Sequence, residues 1–234
     1  MIVCIETATS LCSVALCSRE RIIATRESNE GKSHASMLTV FIGEMLKENG
    51  LRVADLEAVA VGKGPGSYTG LRIGVSVAKG LAYGASLPLI GIETTMSMFH
   101  GISEKVKSRY TDASDILFCP MIDARRMEVF SALYDFSGRT VKEISAEIIS
   151  TSSYRDIPES KKIIFFGDGA SKCRGVISRE NILFEDDFRI SASFMQIPAY
   201  RAFDGRQFED VAYFEPFYLK DFITTVPRKN ILGN

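Results

Sequence analysis

The chain has 234 residues, 46% hydrophobic and 24% charged, a globular balance with enough apolar residues for one large domain or two small ones. Lysine and arginine (28) nearly cancel aspartate and glutamate (29), and the net charge of −1 argues against the basic excess of an autonomous nucleic-acid binder. No run approaches the ~18 apolar residues of a membrane span, the start MIVCIETATS lacks a charged n-region, and the five cysteines form no CxxC pair. Reduced thiols, no membrane and a cytoplasmic location are therefore expected.

In chain order, Ile2 to Ile5, Ser13 to Cys17 and Arg21 to Arg26 read as three strands, the last two separated by the turn-like Ser18-Arg19-Glu20. Ser33 offers an N-cap for a helix that ends at Asn49 before Gly50. On its wheel Phe41, Met45, Leu38, Ile42, Ala35 and Leu46 form the core face, while Met37 and Val40 fall among Lys47, Glu44 and Glu48. Val59 to Val61 is a buried strand. It leads into Gly62 to Gly84, GKGPGSYTGLRIGVSVAKGLAYG, a glycine-rich loop feeding a helix of about four turns. Gly70, Gly74, Ala78 and Ala82 share one face of that helix. Two glycines inside a helix each cost roughly 1 kcal/mol against alanine, so the stripe has a purpose: close packing on a neighbouring element, or docking of another protein. The loop is no Walker A motif, because its lysine and Ser/Thr are not in place. Leu89 to Ile92 is the next strand, completing the order βββαβαβ.

The second half repeats that order of elements. Leu117 to Met121, Val129 to Leu133, Glu143 to Ile148 and Ile163 to Phe166 read as strands, with helical segments expected from Ser152 and from Ala170 to just before Leu183. Lys105 to Ser114 is polar and suits a linker. The expected division is 1–104, 105–212 and a tail over 213–234 that carries apolar anchors. Two such halves describe an α/β chain of the actin/sugar kinase/Hsp70-like fold, a pair of ribonuclease-H-like subdomains around a cleft.

Three turns are candidates for that cleft. Glu6 and Thr7, after the first strand, offer a carboxylate for a Mg²⁺-bound water and a hydroxyl for phosphate. Asp123 precedes Arg125 and Arg126, which suit phosphate or carboxylate, or an Asp–Arg stitch across a hairpin turn. Gly167, Asp168 and Gly169 form a turn after an apolar strand. The string GPGSYTGLRIGVSVAKGLAYG followed by Pro88-Leu89-Ile90-Gly91, the DARRMEVF run from Asp123, and Glu215-Pro216-Phe217-Tyr218-Leu219-Lys220 resemble the TsaB (YeaZ) family, the non-catalytic partner of the tRNA threonylcarbamoyladenosine synthase subunit TsaD. Glu6 stands where that family usually has Asp, and Met127 where it typically has Gly.

The resemblance implies a chain with no catalytic residue. TsaD-like subunits follow the PLIG strand with a metal-binding His-x-x-x-His pair; here Thr94 and Met98 hold those positions, and neither replaces a histidine on a borderline metal. His34 and His100, the chain's histidines, match no ligand spacing. The family pairs through its first two helices, so Met37, Val40, Phe41, Gly70, Gly74, Ala78 and Ala82 make the candidate interface. Expected partners are a TsaD-like catalytic subunit, a TsaE-like ATPase, tRNA through the complex, and a second copy of the chain in isolation. No cofactor is required; weak ATP or ADP with Mg²⁺ at the cleft or at the complex interface is the one ligand left open. The rivals are a stand-alone ATP-dependent phosphotransferase or ATPase of the same fold, with Asp123 as its carboxylate, and a metallopeptidase, which the missing histidine pair disfavours.

Overall fold

The computed structural model describes residues 1–29, 34–110 and 115–220, with the backbone alone at 34, 35 and 107. Ser33, residues 111–114 of the expected linker and 221–234 of the tail lie outside the described residues.

Two five-stranded sheets carry the chain. The first uses β1 (Ile2–Glu6), β2 (Cys12–Cys17), β3 (Ile22–Ser28), β4 (Ala58–Gly64) and β5 (Leu89–Glu93), in the order β3-β2-β1-β4-β5. The second uses β6 (Ile116–Asp123), β7 (Glu128–Asp135), β8 (Thr140–Ile148), β9 (Lys162–Phe166) and β10 (Ile182–Glu185), in the order β10-β9-β6-β7-β8. Counted from the first strand of each half, the two orders are the same. In both, the first three strands are antiparallel and the last two join in parallel. This is the duplicated ribonuclease-H-like order expected of the actin-like fold.

β1 and β4 are apolar at nearly every position because the first sheet is covered on both faces. Val3, Ile5, Val59 and Val61 meet Leu38, Ile42 and Met45 of α1 (His34–Glu48) and Val75, Ala78 and Ala82 of α2 (Tyr68–Ala85). Ile2, Cys4, Ala58, Ala60, Ile90 and Ile92 meet Ala192, Met195, Ala199 and Tyr200. Those last four lie on a 3-10 turn, Ala192–Met195, and α4 (Gln196–Asp204), both within the expected second domain. The 105–212 division is therefore corrected: the chain returns to close the first sheet. The boundary at 104 also falls inside a helix, α3 (Thr94–Lys107), whose Met98, Phe99, Ile102 and Val106 pack on Phe118, Tyr134 and Phe166 of the second sheet.

The far face of the second sheet is covered by irregular chain, not by the helices expected from Ser152 and Ala170. Residues 151–156 run as turns, with Tyr154 at φ +61° and its hydroxyl bonded to Ser131 at 3.0 Å. Arg179 takes the carbonyls of Tyr154 and Ile157, which an intact helix would have bonded itself. From Ala170 only a 3-10 turn forms, Ser171–Cys173, and Gly175 at φ +86° follows it.

The last described stretch is a strap across both halves. Glu209 N–H donates to Leu89 C=O at 2.8 Å, Phe214 enters the first core, and Phe217 N–H donates to Lys63 C=O at 2.7 Å. Tyr218 then stacks on Tyr68 with ring centroids 4.7 Å apart, Leu219 packs on the second core, and Lys220 pairs with Glu128. No helix among the described residues is long and apolar enough to cross a membrane, and all five cysteines are free and buried.

Candidate functional site

The turn after β1 is closed by the chain's own glycines. A Cβ at Gly62 would lie 2.6 Å from Glu6 Oε2; one at Gly66 would meet the Ala8 carbonyl, and ones at Gly70 and Gly74 would meet Thr7 O and Thr7 Oγ1. Four glycines spaced by four thus admit one segment, Glu6–Ala8. The contact is locked by hydrogen bonds: Thr7 Oγ1 donates to Gly70 C=O at 2.8 Å, and Ser67 N–H donates to Ala8 C=O at 2.6 Å. Ser67 also caps α2, its Oγ accepting from Gly70 N–H at 3.3 Å.

This geometry corrects two expectations. Gly70, Gly74, Ala78 and Ala82 are all buried within this chain, so the stripe is a packing face and presents nothing to a partner. Glu6 and Thr7 are 0% exposed and do not form an open turn for phosphate or a hydrated cation. Glu6 Oε1 accepts from Ala8 N–H at 2.7 Å, whereas Oε2 has no hydrogen-bond partner among the described residues. Burial pushes the Glu6 carboxyl up to about 7, against the smaller lowering pull of the Ala8 and Thr7 amides.

In the second half the structure brings Asp123 and the Gly167–Gly169 turn together. Asp168 Oδ1 accepts from Asp123 N–H at 3.0 Å, and Gly169 N–H donates to Met121 C=O at 3.1 Å. Gly167 sits at φ +104° with its Cα against the Met121 carbonyl and the Met98 methyl, where a side chain has no room. The hairpin turn is stitched, but not by an arginine side chain. Asp123 Oδ1 accepts from Arg125 N–H at 2.8 Å and pairs with Lys172, which also bonds the Glu128 carbonyl. Arg125 (φ +69°) and Arg126 (φ +49°) are both left-handed and exposed. Lys172 lies almost fifty residues from Asp123, and no local pattern pointed to it.

The family model described as "TsaD: tRNA N6-adenosine threonylcarbamoyltransferase" matches residues 22–213. The chain belongs to this family. Its relatives place it with TsaB (YeaZ). The tRNA threonylcarbamoyladenosine biosynthesis protein TsaB of Escherichia coli is 40% identical over 133 residues, 57% of this chain and 54% of that one. The protein of the same name from Bacillus subtilis is 27% identical over 94% of this chain and 93% of its own length. The matched stretch thus spans about half the length of the Escherichia coli relative and nearly all of the Bacillus one. YeaZ from Pseudomonas aeruginosa, at 21% identity, shares the fold with a TM-score of 0.80 over 93% of this chain and 99% of that one.

Within the family, the two positions that the resemblance assigns to a histidine pair are core positions here. Thr94 is fully buried and Met98 packs against Gly167. Thr94 Oγ1 and Ser97 Oγ, one turn apart on α3, are buried with no hydrogen-bond partner among the described residues. Among the described residues no three His, Cys, Asp or Glu side chains are grouped to hold a metal ion.

The outward side of α1 and α2 is the part of the expected interface that stays open. Val40 is 51% exposed, Met37 is half-buried, and Phe41 leans on the first core. On α2 a second small-residue row, Ser76, Gly80 and Gly84, faces out beside Tyr83, which is 82% exposed. A Cβ at Gly43, Gly80 or Gly84 would meet nothing within 4 Å among the described residues. Sequence spacing contains this row as plainly as the buried one. Periodicity alone does not say which row faces inward.

Proposed function

We propose that the chain is a non-catalytic subunit that pairs with a TsaD-like catalytic subunit and, with a TsaE-like ATPase, supports threonylcarbamoyl transfer to the adenosine beside the anticodon of tRNA. The names of the relatives support the pathway. One structural observation carries the partner role: two adjacent helices present Val40, Gly43, Ser76, Gly80, Tyr83 and Gly84 outward, small residues beside two exposed apolar side chains that suit the approach of another helix pair. The same face serves a second copy of the chain when the TsaD-like protein is absent, and tRNA is reached through the complex in the cytoplasm. The subunit needs no cofactor of its own. The sealing of Glu6–Ala8 by the glycine series supports that reading, and leaves weak ATP or ADP with Mg²⁺ to the Asp123–Asp168 side or the complex interface.

The test uses Gly80→Gln with Val40→Glu. A Cβ at Gly80 meets nothing within 4 Å among the described residues, Val40 is 51% exposed, and replacing the helical glycine raises helix propensity by roughly 0.5–1 kcal/mol. The double variant is expected to melt at or above the wild-type temperature, yet to elute as a monomer and to lose the TsaD-like protein from the same cell. A complex that survives removes this face from the interface. A wild-type chain that does not bind the TsaD-like protein removes the function itself.

A further inference from the structure

A cavity of about 560 Å³ opens at the carboxyl ends of β4 and β5, between α3, α4 and the start of the strap. Parallel sheets place ligands at that end of their strands, and the volume lies in the range of small-molecule sites. Its lining is mixed. Ile92, Met96 and Phe208 supply an apolar wall, and Lys63 and Glu209 stand loosely paired at 3.9 Å. Glu93 and Arg201 also face this cavity, and among the described residues neither side chain has a hydrogen bond or ion pair. Glu93 occupies the N-cap of α3 without capping it. The cavity therefore holds an unpaired carboxylate and an unpaired guanidinium, set too far apart to pair with each other.

The backbone adds a third element. Val59 N–H donates to Pro88 C=O, and Leu89 C=O accepts from Glu209 N–H. Polar groups of alternate residues in a strand point to opposite sides, so Pro88 and Ile90 face β4 while Leu89 and Gly91 face the outer edge, where the strap's Glu209 bonds Leu89. Gly91, which lines the cavity, turns its N–H and C=O toward that edge.

We infer that this cavity binds a small zwitterion of the amino-acid or dipeptide class. Its ammonium pairs with Glu93, its carboxylate with Arg201, its side chain lies on the apolar wall, and a peptide unit, if present, bonds the Gly91 edge. The site is separate from the α1–α2 face and does not depend on the proposed partner role.

Two-dimensional amide NMR of the full chain, titrated with millimolar L-leucine and with L-leucylglycine, tests it. Peaks of Gly91, Glu93, Met96 and Arg201 are expected to shift saturably, and whichever compound binds more tightly sets the ligand's length. N-acetyl-L-leucine and L-leucinamide, each lacking one charge, are expected to bind at least about ten-fold more weakly, and so are the free compounds to Glu93→Gln and Arg201→Gln. Arg201 is exposed and Glu93 partly buried, and an unchanged melting curve verifies the fold of both variants. No shift with either zwitterion overturns the inference. Equal binding of the blocked compounds, or full binding by both variants, overturns it as well.

Discussion

Glu6 ends β1 with a carboxyl that water does not reach. Its upward shift, from 4.5 to about 7, fixes the sign of a pH effect. The folded state holds the proton more tightly than the unfolded chain, so this group's contribution is greatest below pH 4.5. It is lost as pH rises toward 7 and stays constant above. The size is about 3 kcal/mol, from 1.36 kcal/mol per unit. Glu6→Gln is therefore expected to be more stable than wild type at pH 8 and to match it near pH 4.5, measured as the difference between urea midpoints across that range. A difference that does not change with pH would rule out a buried titrating carboxyl. The residue type was legible in the sequence as a departure from the family's Asp, but its burial was not. The glycines that enclose it stand some sixty positions downstream.

At the scale of one element, α2 carries two rows of small residues with opposite meanings. Gly74→Ala would drive a methyl into Thr7 Oγ1 and break the Thr7–Gly70 bond, at a cost of about 1–3 kcal/mol. Gly80→Ala enters open space and is expected to gain roughly 0.5–1 kcal/mol. Urea denaturation of the two single variants should give opposite signs; a shared sign would mean that the helix is turned otherwise. Nine of the ten described strands were readable as short runs, β10 being the exception, and so were α1 and α2, from their period and their flanking glycines. α3 and α4 were not. The first opens with Thr94 and Thr95, poor helix formers, and contains Gly101, which is needed where the Phe194 ring crosses it. The second is nine residues long with Pro198 in its first turn. Both are held by packing rather than propensity. The helices expected in the second half failed for the converse reason: Arg179 and left-handed turns satisfied the backbone instead.

The whole molecule is held together by chain that changes sides. α3 leaves the first sheet to cover the second, α4 returns to the first, and the strap ties both. Phe214 is the strap's anchor, and Phe214→Ala is expected to cost about 3 kcal/mol in urea denaturation with a single transition retained. A loss under about 1 kcal/mol would mean that the strap rests on the surface without supporting it.

The late return of α4 bears on how the protein is made. A nascent chain that has just released β5 from the ribosome has every strand of its first sheet, and α1 and α2 to cover one side. The other side, with Ile2, Cys4, Ala58, Ala60, Ile90 and Ile92, waits for Ala192, Met195, Ala199 and Tyr200. During translation of the hundred or so intervening residues that oily surface has no intramolecular cover, which makes it the natural place for a chaperone to hold the growing polypeptide.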